Sequence, residues 1–261
     1  MTTEAPAKAP PKKQADPFAE KFAPISAQRF WNAVLYGPEK VGKTTGALSA
    51  PGPILLLNAE GSNSSHFGRS RNPNVHEIIV PVDEDEGAKA LLDEAFLWLR
   101  DTPAGKATQT VVLDSLSEIH GAILRDMAKD KDHPSLPERG DTNTWLERYA
   151  MSLRDLPLNV VIVAHETWTK DDVTGVIERS PYTGTSNVAY GKKFTGPFAD
   201  IVAYLGRSID ENGAEHYGAQ LVDGNGRRAG HRGGALGVSR EVNLTEWFAV
   251  MNAAPQTEEK K

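Results

Sequence analysis

Ala33-Val-Leu-Tyr-Gly37-Pro-Glu-Lys-Val-Gly42-Lys43-Thr44-Thr45 is the stretch whose reading decides the fold. Ala33 to Tyr36 lean apolar and read as a buried strand, which runs directly into GxxxxGK[ST], the phosphate-loop pattern. The chemistry explains the spacing. A polyphosphate needs a row of inward-facing backbone N–H donors, which side chains would obstruct, hence Gly37 and Gly42 at the two ends. A helix starting near Lys43 adds its positive dipole end. The nucleotide-binding set is then Gly37, Pro38, Glu39, Lys40, Val41, Gly42, Lys43, Thr44 and Thr45. Lys43 would reach the β and γ phosphates. The Thr44 hydroxyl would hold a magnesium ion, whose other ligands are mostly water and phosphate oxygen.

Beyond the loop, Pro51-Gly52-Pro53 must end its helix quickly. Ile54 to Leu57 follows as a second buried strand. It delivers Asn58-Ala59-Glu60-Gly61 to the carboxyl end of the sheet, where parallel α/β sheets bind ligands. Glu60 there is either the group that orients an attacking water or a plain loop acid. Thr110-Val-Val-Leu113-Asp114-Ser115 is an apolar strand ending in Asp. A carboxylate at that tip can hold a water of the magnesium shell, so Asp114 joins Thr44 in the metal set. Asn159 to Ala164 is another buried strand, ending in His165-Glu166; His165 either senses the γ phosphate or is a structural strand-end histidine.

Composition sets the outer limits. With 261 residues, 39% hydrophobic and 25% charged, the chain suits one α/β domain with a large core. It has no cysteine, which excludes disulfides, thiolate metal sites and cysteine nucleophiles and points to a reducing, cytoplasmic setting. No apolar run approaches the roughly 20 residues of a membrane span, so no membrane partner is expected. The net charge of -6 argues against coating duplex DNA by bulk positive charge. Residues 1–28 form a Pro- and Lys-rich tail expected to be disordered, 29–250 the domain, and 251–261 a polar tail. Phe18 and Phe22, four apart, would share a helical face, docking either on a neighbouring subunit or on this chain's own sheet.

Between these landmarks, His76 to Val82 reads as a third strand. Glu86 to Asp101 and Ser115 to about Ala128 read as helices with one apolar face each. Lys129 to Asp141, rich in Pro and charge, reads as a mobile surface loop before a helix containing Trp145, Tyr149 and Leu153. Thr167 to Gly191 shows no firm apolar period and reads as a long loop. At its end Tyr190, Lys192, Lys193 and Phe194 could contact phosphates and stack a base. Asp200 to Leu205 and Gly218 to Asp223 read as strands of a hairpin turning near Asn212-Gly213. Asn225 to Gly234 is the most basic short stretch, and its Arg227 and Arg228 could serve a phosphate site on an adjacent subunit. Leu244 to Met251 reads as a last helix.

The phosphate loop, Glu60 after its strand, Val111-Val-Leu-Asp-Ser115 and the later segment from Lys192 to Gly206 together resemble the ATPase core of RecA-like recombinases, over about Arg29 to Phe248. Among these, the compact core-only proteins of bacteriophages that act as single-strand annealing ATPases are the most similar. The resemblance implies a P-loop NTPase with a mostly parallel sheet flanked by helices, here with a C-terminal antiparallel hairpin. It implies ATP and magnesium as cofactors and single-stranded DNA as partner. It further implies self-association into a ring or filament with nucleotide at the interface, and a single-strand binding protein as a further partner. Lys43 and Thr44 match the loop, Glu60 the water-activating glutamate and Asp114 the magnesium aspartate. The DNA-contacting loops fall at about 129 to 143 and 167 to 193, and Arg227 and Arg228 stand loosely for interface lysines. At His165 the family's glutamine is replaced.

Three other readings remain open: a ring helicase motor, an accessory phage ATPase, and a GTP-dependent switch. The last rests on Thr169-Lys170-Asp171-Asp172, which fits the guanine-reading [NT]KxD pattern. It lacks a DxxG partner, because Asp114 is followed by Ser115-Leu-Ser117.

Overall fold

Strands whose residues are buried on both faces lack the polar alternation of a half-exposed sheet, and four such runs form the centre of this molecule. They are β1 (Asn32–Gly37), β2 (Ile54–Asn58), β4 (Thr110–Asp114) and the first six residues of β5 (Asn159–Lys170). The structure, a computed structural model, describes residues 29–61, 72–82, 87–128, 134–170, 172–183, 195–209 and 211–253. The expected tail 1–28, residues 254–261, Phe18, Phe22, Tyr190, Lys192, Lys193 and Phe194 lie outside the described residues, whereas 251–253, expected in the C-terminal tail, end the last helix with Met251 buried.

The sheet also contains β3 (Val75–Ile79), β6 (Ile177–Pro181), β7 (Ile201–Ile209), β8 (Glu215–Gln220), β9 (Gly230–His231) and β10 (Ser239–Arg240). Its order is β10-β8-β7-β1-β5-β4-β2-β3. From β7 to β3 every neighbour is parallel; β8 and β10 then add an antiparallel edge. This is the expected mostly parallel sheet with its C-terminal antiparallel hairpin.

Helices cover the two faces. On one, α2 (Ala88–Asp101), α4 (Leu116–Ala128) and α5 (Leu136–Arg154) send Leu92, Leu99, Ile119, Ile123, Leu146 and Leu153 onto Val34, Leu57, Leu113 and Ile162. The short helix α3 (Pro103–Lys106) follows α2. On the other face, α1 (Lys43–Ala47) and α6 (Leu244–Ala253) pack Ala47, Trp247 and Phe248 against Leu35, Leu56, Val112 and Val163. The alternation is that of the pleat: Val34 and Leu35 take opposite faces.

Two expected loops are partly regular structure. The helix α5 starts at Leu136, inside the stretch read as mobile, because Ser135 and Glu138 form a capping box. The Ser135 amide donates to Glu138 Oε2 at 2.6 Å, and Pro137 occupies the first turn, where a missing N–H costs nothing. Likewise β5 does not stop at Ala164. It continues to Lys170 and pairs antiparallel with β6, matching Trp168 with Arg179 and Lys170 with Ile177. Thr169 and Lys170 of the guanine-reading pattern are therefore consumed by a β-hairpin.

Candidate functional site

The phosphate loop leaves β1 through two residues that need unusual backbone. Gly37 has φ 151°, and a Cβ there would collide with the Leu205 carbonyl oxygen of the adjacent β7. Gly42 takes the left-handed conformation (φ 85°) that caps α1. Lys43 opens that helix and is buried. Its Nζ donates to the Gly37 and Pro38 carbonyl oxygens at 3.0 and 2.6 Å, so the ammonium lies within the curl of the loop. Burial pulls its pKa below the ordinary lysine value, while Glu60 and then Asp114 draw it back up.

Strand register assembles the rest. Gly37 lies opposite His165 in the β1–β5 pairing, and Asn58 opposite Asp114 in β2–β4. The Ala59 amide extends the second ladder by donating to the Asp114 carbonyl at 2.5 Å. Four parallel strands therefore end level with one another, and Lys43, Glu60, Asp114 and His165 meet at one edge.

Glu60 and His165 are joined directly at this edge, Oε1 to Nε2 at 2.9 Å, with each side chain roughly one-quarter exposed. The His165 hydrogen bond first, and a second from Ser115, hold the Glu60 carboxyl below its usual range. The same bond raises the His165 pKa against the opposing pull of burial. Asp114 is different. It is 1% exposed, and neither carboxylate oxygen meets a hydrogen-bond donor in good geometry among the described residues. Burial pushes its pKa up to about 6, with the nearby Thr44 hydroxyl pulling the other way.

Residues 29–232 match the profile of a family described as an AAA domain. The chain belongs to this family. Among curated proteins none matches it. A KaiC-like protein of the hyperthermophilic archaeon Pyrococcus horikoshii OT3 is similar in structure, with a TM-score of 0.39 and 12% identity over 73% of this chain and 77% of that one. This AAA domain is a P-loop ATPase core on a mostly parallel sheet flanked by helices. No helix among its described residues is long and apolar enough to cross a membrane.

The AAA domain also uses residues that sequence reading passed over. Asn58, fully buried, accepts from the Glu60 amide at 2.9 Å and donates to the Gly61 carbonyl and to Glu77 Oε1, so it fixes the turn that presents Glu60. Ser117 accepts from the His165 amide at 3.1 Å and seats the strand tip that presents His165. The signal for the serines was present: Ser115 and Ser117 lie within three residues after Asp114, at the start of a helix.

Of the two candidate arginines, the structure brings Arg227 to the loop. Its guanidinium lies 4.5 Å from the centre of the Tyr204 ring, in a cleft of about 790 Å³ shared with Pro38, Glu39 and Lys40 of the same chain. Arg228 instead lines a smaller cavity of about 240 Å³ with Asp200, Asp223 and His231.

Proposed function

We propose that this AAA domain hydrolyses ATP with magnesium and uses the cycle to bind single-stranded DNA, in the manner of an annealing or recombination ATPase acting as an oligomer. One observation carries the reading: a single strand, β5, joins the hydrolysis site to an exposed hairpin. At His165 it touches Glu60; three residues later Trp168 is 61% exposed, and Lys170 follows at the outer end. An aromatic ring on such an arm offers a base a stacking surface and the lysine offers a phosphate a charge. Lys192, Lys193, Tyr190 and Phe194, outside the described residues, are assigned further phosphate contacts and base stacking.

Each residue has a role the geometry supports. The loop amides and Lys43 bind the phosphates, and Glu60 orients the attacking water once nucleotide competes for its hydrogen bond to His165. The polar atoms at Asp114 and Thr44 fit a hard divalent cation, because two buried carboxylate oxygens without donors and a hydroxyl are the oxygen ligands and shell-water acceptors such an ion takes. Magnesium there would neutralise phosphate charge. With Glu60, Asp114 and His165 on the β2–β4–β5 side, the nucleoside lies on the β7–β8 side. There the 790 Å³ cleft and a neighbouring one of about 630 Å³ bring Tyr217 and His216 to the loop.

The deciding experiment is the hydrolysis rate with magnesium, alone and with single-stranded or duplex DNA, with GTP in parallel. Selective stimulation of ATP turnover by single strands is expected. Indifference to DNA would leave an accessory ATPase, stimulation with strand separation a ring motor, and preference for GTP a switch.

A further inference from the structure

Arg207, Arg227 and Arg240 line the cleft beside the loop; Arg207 is paired with Glu215 and Arg240 with Glu246, whereas Arg227 is poorly held. Among the described residues no carboxylate lies within ion-pair distance of it, its Nε is buried without a partner, and Nη1 reaches only Gln220 Oε1, at 3.5 Å. What holds it is the Tyr204 face. That ring meets Tyr36 edge-on with centres 5.3 Å apart, and Tyr36 is the residue before Gly37.

The backbone that carries Arg227 is, in contrast, firmly fixed. Gly224 and Arg227 close a turn on each other, with amide-to-carbonyl distances of 3.2 and 2.9 Å. That turn is fastened to β6: the Arg179 amide donates to the Gly226 carbonyl at 2.5 Å and the Arg228 amide to the Arg179 carbonyl at 3.1 Å. The fit is so close that Gly226 (φ 68°) has no room for a side chain, since a Cβ would strike the Ile177 carbonyl oxygen. The Tyr36 hydroxyl pins the same junction by donating to the Arg228 carbonyl at 2.6 Å. The strand that leads into the phosphate loop, the turn with Arg227 and the β5–β6 hairpin therefore share one set of hydrogen bonds.

We propose that Arg227 serves the nucleotide of its own chain, and that the turn carrying it couples the occupied cleft to the β5–β6 hairpin. A phosphate in the cleft offers a guanidinium charge-assisted, bidentate bonds that are stronger than its contact with the Tyr204 ring. Drawn toward the loop, Arg227 shifts Gly226, and Gly226 cannot shift without moving the Arg179 amide of β6. This deepens the nucleotide-binding half of the proposed function and does not depend on the DNA half. Its alternative is the reach of this arginine into an adjacent subunit that the sequence suggested.

Two measurements on the full chain test it. The first is amide hydrogen exchange with and without a non-hydrolysable ATP analogue, in the natural protein, Arg227→Ala and Arg227→Lys. In the natural protein the analogue is expected to slow exchange both in the phosphate loop and in β6. Arg227→Ala should keep the loop response and lose the β6 response, with Arg227→Lys between them. The second is turnover of Arg227→Ala, expected to fall about tenfold, mixed in equal amounts with Lys43→Ala, which keeps Arg227 but lacks the loop lysine. No recovery is expected on mixing. A β6 response that survives in Arg227→Ala, unimpaired turnover, or recovery on mixing would overturn the inference. An analogue that leaves the loop itself unprotected in the natural protein would overturn the nucleotide reading beneath it.

Discussion

The inner and outer halves of β5 differ in almost everything but continuity. From Asn159 to Ala164 the strand is buried and held by parallel partners on both edges, β1 and β4. From Glu166 to Lys170 its one mapped partner among the described residues is β6, and the strand ends exposed. A segment fixed from two sides cannot slip register without turning its side chains to the wrong face, so it can place His165 against Glu60 within hydrogen-bond distance. A segment paired on one edge is free to present side chains outward and to respond to its surroundings. On the proposed function the chemistry would belong to the inner half, and its use to the outer.

If that division holds, the largest effect comes from the phosphate loop beneath the inner half. Lys43→Ala should reduce ATP turnover by about 10³ or more, since it removes a buried charge that meets the phosphates directly. Equilibrium binding of a fluorescent nucleotide checks that binding is lost as well. Glu60→Gln comes next. It keeps the shape but cannot polarise water, so turnover should fall by about 10² to 10³ while nucleotide stays bound. Normal turnover in either variant would remove that residue from the site.

Asp114 trades stability for function, with a readable sign. Its folded pKa, about 6, lies above the 3.8 of the unfolded chain, so the protonated form favours the fold. That contribution is fully present below about pH 3.8 and is lost as pH rises through about 6, costing the nucleotide-free protein on the order of 3 kcal/mol at pH 8. Asp114→Asn should therefore raise the melting temperature at pH 8 by roughly 5 °C, gain little at pH 4, and lose magnesium-dependent turnover. A variant less stable than the natural protein at pH 8 would mean that the carboxylate has a partner beyond those described.

The same contrast explains what was legible in the sequence. Each inner strand is a short apolar run ending in a polar residue at the sheet's carboxyl edge, so β1, β2, β4 and the first half of β5 could be read residue by residue, and Lys43, Glu60, Asp114 and His165 with them. Thr167 to Pro181 has no apolar period: Thr167 and Ser180, both buried, are polar, its exposed positions include Trp168, and the outer edge of β6 is held by backbone bonds to the turn at Gly226. Those bonds come from about 50 residues away, and no local pattern encodes them. Helix α5 was missed at its start for another reason. Pro137 and the charges around it are loop signals everywhere except in a first helical turn, and Ser135 with Glu138 was the capping signal that marked one. Asn58, Ser115 and Ser117 act by holding other side chains, and their role appears only once the strand tips are level.

The outer half should respond differently. Trp168→Ala is expected to weaken single-strand binding by about 1 to 3 kcal/mol, or some fivefold to 150-fold, without changing turnover in the absence of DNA. Neutralising Lys192 and Lys193 together should flatten the salt dependence of binding by up to about two units of slope, again without touching basal turnover. Titrations of a labelled oligonucleotide at several salt concentrations measure both. A fall in basal turnover would show that the two halves of β5 are not separable.

The smallest effect tests the joint itself. Among the described residues, His165 holds Glu60 through a bond that raises the histidine's pKa above 6.5 and lowers the glutamate's below 4.5. The histidine's share of that stability is complete below 6.5 and fades as pH rises through its raised value. The glutamate's share is complete above 4.5 and fades as pH falls through its lowered one. The pair is therefore strongest between about pH 4.5 and 6.5 and loosens on the alkaline side. Because Glu60 is useful only when released to water, basal turnover should climb a few-fold from pH 6.5 to 8.5, and His165→Gln should flatten the climb by removing the titrating partner. A rise that persists unchanged in His165→Gln would assign it to another group, with Asp114, at about 6, the first to examine.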